Sequence, residues 1–109
     1  MNLNTATQKI DEKQRQLIIA KSNLLFEVKI LSNIILNKRI YDRKWKKCLM
    51  YCLDKKLGKY LTKTDIATIF KVHPPAASTA CVDVDRWLWI NEDDIIRGYV
   101  DEIMVMIEI

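Results

Sequence analysis

Apolar residues recur every three or four positions along most of this chain, the period of a helix with one buried face. The spacing predicts a long first helix from about Thr5 to Asn37. Within and just before it, Leu3, Ile10, Leu17, Leu24 and Leu31 fall seven residues apart and keep to one stripe. The companion positions Thr7, Gln14, Lys21, Val28 and Ile35 are polar early and apolar late. Two uses fit that stripe: packing on the chain's own domain through Leu24–Leu36, or dimerisation. A polar link at Asn37–Arg39 ends or bends the helix.

A second helix is predicted from Tyr41 to Leu57, burying Trp45, Cys48, Leu49, Cys52, Leu53 and Leu57. Its other face carries Arg43, Lys44, Lys46, Lys47, Lys55 and Lys56. Gly58 suits a left-handed C-terminal cap, and Lys55 and Lys56 sit well against the helix dipole. Thr62 and Asp65 make a capping box for a third helix whose core face is Ile66, Ile69 and Phe70. His73-Pro74-Pro75 stops it, and proline is tolerated in the first turn of the next helix. The fourth helix would bury Ala77, Ala80, Cys81, Val84, Trp87 and Leu88. The fifth, capped by Asn91 with Glu92, Asp93 and Asp94 at its positive end, has the stripe Ile96, Val100, Ile103 and Ile107. No hairpin signal follows Leu88, so no β-wing is expected. The fold class is all-α, about five helices, with residues 1–37 as the long helix and 38–109 as the domain proper.

Leu61 to Leu88 has the spacing of a helix-turn-helix, in which the second helix is offered to a DNA groove. Ala67 is small where the two helices cross, Val72 plugs the gap at the turn, and Ser78 lies on the second helix where phosphate or base edges are met. Lys71 stands in the turn where glycine is usual; a left-handed backbone there costs roughly 1 kcal/mol.

Composition fits an ordered helical domain: of 109 residues half are hydrophobic, with only two Gly and two Pro. The net charge of +4 hides a polarity. Residues 1–73 carry 16 Lys and Arg against 6 acids, and residues 74–109 carry 2 against 8. A basic front and an acidic tail suggest a polyanion-facing surface on one side. Residues 38–71 are the densest part, with 11 basic residues and 3 acids. Such a run is either a solvated face or a phosphate-contacting one. No run of eighteen apolar residues and no secretory leader pattern is present, and three cysteines make no disulfide framework. A reducing, cytoplasmic setting is expected.

From about Arg43 to Ile107 the chain resembles the C-terminal DNA-binding domain of the bacterial replication initiator, the DnaA type within the Trp-repressor-like helix-turn-helix group. The resemblance is carried by the basic apolar helix RKWKKCLMYCLDKKL, by the T-x-x-D-I-A-x-x-F pattern of Thr62–Phe70, by a second helix through Ala80-Cys81, and by the charged-start last helix NEDDIIRGYVDEIMVMI. It implies an all-α DNA-binding fold. Where that family carries a Gly-Arg-Asp-His-Thr signature, this chain reads Lys71-Val72-His73-Pro74-Pro75-Ala76-Ala77. Two glycines forty residues apart cannot form the initiator's phosphate-binding loop.

Chemistry beyond binding is weakly signalled. Cys48, Cys52, Cys81 and the single histidine, His73, could in principle hold zinc, but cysteines on an apolar helix face are core residues. No metal, cofactor or catalytic group is expected. The expected activity is that of a small DNA-binding protein, a regulator or replication accessory factor. Arg43, Lys44, Lys46, Lys47, Lys63, Lys71 and His73 would meet phosphate, with Ser78 and Thr79 nearest base edges. Its partners would be double-stranded DNA and a second copy of the chain. The alternative is a helical protein-interaction module with a degenerate helix-turn-helix.

Overall fold

The run Cys48-Leu49-Met50-Tyr51-Cys52-Leu53 is apolar on every side, and the computed structural model buries all six residues. A helix that is apolar all round must be covered all round. Residues 2–107 are described, with side chains from residue 13 onward. Five helices follow in order: α1 (Asn2–Asn37), α2 (Arg43–Leu57), α3 (Lys63–Ile69), α4 (Pro74–Trp89) and α5 (Asp94–Met106). The all-α class is as the spacing predicts. α2 is the hub: α4 and α5 pack along it, and α1 and α3 cover its remaining sides. No described helix is long and apolar enough to cross a membrane.

Helix α1 spans 36 residues, about 54 Å at the α-helical rise, and accounts for a molecule measuring 63 × 25 × 22 Å. Only its C-terminal turns join the core. Val28, Ser32 and Ile35 are buried, and Leu24, Leu25, Leu31 and Leu36 are half-buried against the same cluster. The later half of the predicted seven-residue stripe therefore packs intramolecularly. Leu17, on the same stripe, is 71% exposed, because the helix has run past the domain by then. The side chains of Leu3, Thr7 and Ile10 lie outside the described residues.

Trp45 fixes where α1 meets α2. Its ring is fully buried and its Nε1–H donates to the carbonyl of Ile35 at 2.8 Å. Tyr99 of α5 presents its ring edge-on at 5.1 Å, and the Arg39 guanidinium lies 4.9 Å from both ring centroids. Arg39 also donates to Glu102 at 3.2 Å, and the Tyr99 hydroxyl donates to Asp42 at 2.6 Å. Asp42 in turn caps α2, accepting from the backbone N–H groups of Lys44 and Trp45. The helix predicted to begin at Tyr41 starts two residues later, because Asp42 is the residue whose carboxylate can reach those donors.

Other ends show which local rules held. Thr62 and Asp65 form the reciprocal capping box, and Pro74 occupies the first position of α4. At the start of α5 the cap is Asp93, not Asn91: the Asp93 carboxylate accepts from Ile95 and Ile96. The Asn91 N–H instead closes α4 by donating to the Arg86 carbonyl at 3.0 Å. Gly58 is not left-handed; its φ of −61° and ψ of −17° continue the helical sense. Space explains this glycine, since a Cβ would run into the backbone carbonyl of Asp54. Lys56 serves α5 rather than its own helix, its ammonium donating to the carbonyls of Met104 and Ile107.

The Tyr99 hydroxyl, foremost, together with the two cap N–H groups and Arg39 holds the Asp42 carboxyl below its usual range. A carboxyl with a depressed native pKa stabilises the fold above the unfolded value, about pH 4, and loses that contribution as pH falls through the native one. Tyr99→Phe is thus expected to cost about 1 kcal/mol at pH 7. The gap between variant and parent should close as pH drops below about 4. Chemical denaturation of both proteins across pH 2.5–7 checks it.

Candidate nucleic-acid interface

The α3–α4 junction is built from small residues and one strained turn. Ala67 on α3 and Ala77 and Ala80 on α4 are buried, which lets the two helices cross closely. At the end of α3 the Val72 N–H donates to the Ala67 carbonyl at 2.9 Å and the Lys71 N–H to that of Thr68 at 3.1 Å. This pairing is a Schellman closure, and it requires a left-handed residue between the two donors. Lys71 takes that conformation, with φ of 56°. Val72 is half-buried against the core, as predicted for the plug at the turn.

Helix α4 then begins at Pro74 with His73 as its N-cap, and the His73 side chain makes no capping hydrogen bond. The other three capped helices all use an Asp or Thr side chain there. No acid lies in the first turn of α4. Pro74 and Pro75 carry no N–H and the Ala76 N–H donates to the His73 carbonyl at 2.9 Å, so what this helix start offers is the positive end of its dipole, beside the exposed side chains of Lys71 and His73. Ser78 and Thr79 are exposed on the second turn of the same helix.

The other predicted residues lie elsewhere. Lys63 is exposed at the start of α3, at that helix's opposite end from Lys71. α2 and α4 run antiparallel, so the basic N-terminal half of α2 meets the later turns of α4 and not its beginning. Lys47 pairs with Asp83 at 2.7 Å, and Arg86 donates to the other oxygen of that carboxylate at 2.7 Å. Lys44 and Lys47 both hold their ammonium groups 5.5 Å from the Trp87 ring. Arg43 is exposed in the first turn of α2, and half-buried Lys46 lines an open groove with Ile40 and Tyr41. Farther out, Lys21 pairs with Asp65 at 2.9 Å, and Lys38 and Arg39 reach Glu102. Much of the basic run is thus engaged within the fold.

Val82 and Trp89 are the large apolar residues on the outward face of α4. Pro75, Ser78, Val82, Arg86 and Trp89 share that face by helical spacing, and all are exposed. Trp89 is 72% exposed. The signal was available: Ala77, Ala80, Val84 and Leu88 already fill the inner stripe, which leaves Val82 and Trp89 on the other side. Tyr51, at the foot of Trp89, has its hydroxyl pushed up to about 12 by burial and by the neighbouring Asp85 carboxylate.

Comparison with protein-family profiles, curated proteins and solved structures found no match to this chain. The resemblance to the replication-initiator domain rests on sequence pattern alone.

All three cysteines are buried in the core. Burial, foremost, pushes the Cys48 and Cys52 thiols up to about 12 and raises Cys81 as well. Because the thiolate is the reactive form, the folded protein is expected to resist a thiol reagent at pH 8. All three thiols should titrate in denaturant. Rapid modification of any thiol without denaturant would contradict the buried placement.

Proposed function

We propose that this chain is a cytoplasmic duplex-DNA-binding protein of helix-turn-helix type, with α3 and α4 as the motif and α4 directed at the major groove. It acts by binding and not by catalysis, as a regulator or replication accessory factor of the initiator C-terminal kind. The observation that carries this reading is the turn. Lys71 accepts left-handed strain of roughly 1 kcal/mol where glycine would be unstrained. That strain sets an exposed ammonium next to a helix N-terminus that no side chain caps. Glu92, in the turn after α4, is left-handed too with φ of 49°; of the two, Lys71 is the one that sets a positive charge beside a helix start.

In this arrangement Lys71 and His73, at the positive end of the α4 dipole, bind one phosphate cluster, and Lys63 and Arg43 reach flanking ones. Lys47 contributes little, because Asp83 already takes its charge. Ser78 and Thr79 meet base edges. The outward face of α4 holds no Asn, Gln or Lys, and its one guanidinium, Arg86, is committed to Asp83. Readout then falls to the hydroxyls and to apolar contact of Val82 with a thymine methyl. Sequence preference should be modest beside phosphate-driven affinity.

A second reading has its own observation. Trp89 is exposed with Val82 on the outward face of α4, a surface suited to a protein partner with an aromatic-binding pocket. In that case the fold would have kept the helix pair and lost its DNA contacts.

Lys71→Gly separates the two. It is expected to stabilise the fold by about 0.5–1 kcal/mol, because glycine removes the left-handed penalty. The same change should weaken duplex binding severalfold for every sequence and flatten the log–log salt slope by about 0.9, one phosphate contact. Fluorescence anisotropy at several salt concentrations, alongside a denaturation curve, reads both. Unchanged DNA affinity in the stabilised variant, or no binding by the parent at low salt, would favour the protein-interaction reading.

A further inference from the structure

The side of α1 facing away from the domain carries a second heptad, out of register with the one that packs on the core. Ile19, Phe26 and Asn33 fall seven apart, and Asn23, Ile30 and Asn37 fall seven apart four residues later. All six are exposed. At 100° per residue this stripe lies nearly opposite Val28 and Ile35, the buried contacts. Phe26 is 66% exposed, Ile19 and the flanking Ile34 are each 58%, and Ile30 is 48%. Exposed large apolar groups at coiled-coil spacing on one helix mark an interaction surface.

We propose that this stripe pairs two copies of the chain through a parallel, two-stranded contact of their α1 helices. The proposal does not depend on DNA binding. Self-complementarity identifies the occupant. In a parallel pair each seam residue faces its own counterpart, so Phe26 and Ile30 pack on themselves and Asn23, Asn33 and Asn37 meet asparagines. An asparagine amide holds both a donor and an acceptor and can satisfy its twin, which fixes register and favours two strands. A foreign helix would need matching polar residues at the same three positions.

Charge sets the orientation. Glu27 and Lys29 flank the stripe on opposite sides. In the parallel pair Glu27 lies beside the partner's Ser22, and the stem of Lys29 beside the partner's Ile34. An antiparallel pair centred on the stripe would set Glu27 against Glu27 and Lys29 against Lys29. The globular parts do not obstruct the pairing, because each packs on the far side of its own α1. The result is a central two-helix stalk with a domain on either flank. Three asparagines and four large apolar groups make a short seam, well below the area of a permanent dimer, so dissociation in the micromolar range is expected.

Sedimentation equilibrium of the full chain from about 5 to 500 μM tests this. A reversible monomer–dimer equilibrium is expected. Phe26→Asp and Ile30→Glu, both at exposed sites that leave the monomer core untouched, should each raise the dissociation constant by about 30-fold or more. Leu17→Asp, on the other stripe, should leave it within about twofold. Asn23→Cys should form a crosslinked dimer when an oxidant is added. A chain that stays monomeric throughout overturns the proposal, as does a dimer that Leu17→Asp abolishes and Phe26→Asp spares. A dimer in which Asn23→Cys fails to crosslink overturns the parallel arrangement.

Discussion

The structure depends on Trp45. Three helices converge on this one side chain: α1 through the Ile35 carbonyl that accepts its indole N–H, α2 that carries it, and α5 through Tyr99. Arg39 and Asp42, on either side of the α1–α2 turn, complete the enclosure by binding Glu102 and Tyr99. The polar groups around the ring are therefore satisfied where the ring itself is dry. Without this junction α1 would have little to hold it, since only its last turns touch the core. A long helix with one packed end is marginal in water unless something else covers it.

That same economy shapes the surface. A chain with eighteen basic residues invites the picture of a positive face, yet the fold engages many of those charges itself. Lys47 binds Asp83, Lys56 closes α5, Lys21 binds Asp65, and Lys38 and Arg39 meet Glu102. The basic front and acidic tail seen along the sequence are partly an internal complementarity that clamps α4 and α5 onto the rest. What stays outside that complementarity near the start of α4 is a small set: Lys71, His73 and a first helical turn that holds no acid. A helix start with no neutralising acid beside one left-handed lysine is a narrower positive feature than a basic stripe.

Local signals in the sequence translated directly. The Thr62–Asp65 box, the proline start of α4 and the Ile96-Val100-Ile103-Ile107 stripe all act within one or two turns, where propensity and spacing decide. Boundaries set by competing acids were read one or two residues out. Tyr41 and Asn91 were each displaced by an aspartate whose side chain reaches the first amides better. Long-range pairs were not legible. Nothing in the spacing of Lys47 and Asp83, thirty-six residues apart, announces that they meet. The antiparallel run of α2 against α4, which carries the basic residues of α2 away from Ser78, follows from packing of the whole domain. The exposure of Trp89 follows from the inner stripe of α4, which Ala77, Ala80, Val84 and Leu88 already fill.

The strained turn and the uncapped α4 start are the features on which the functional reading stands, and backbone amides report on them individually. Titrating a short duplex into isotopically labelled protein at low salt, and following amide resonances, is the most direct measurement. The expected result is that Lys71 and the α4 amides from Ala76 to Thr79 shift first and furthest, with the shifts reversed by added salt. Shifts confined to other surfaces, or none at saturating duplex, would contradict the assignment of α4 as the DNA-facing helix.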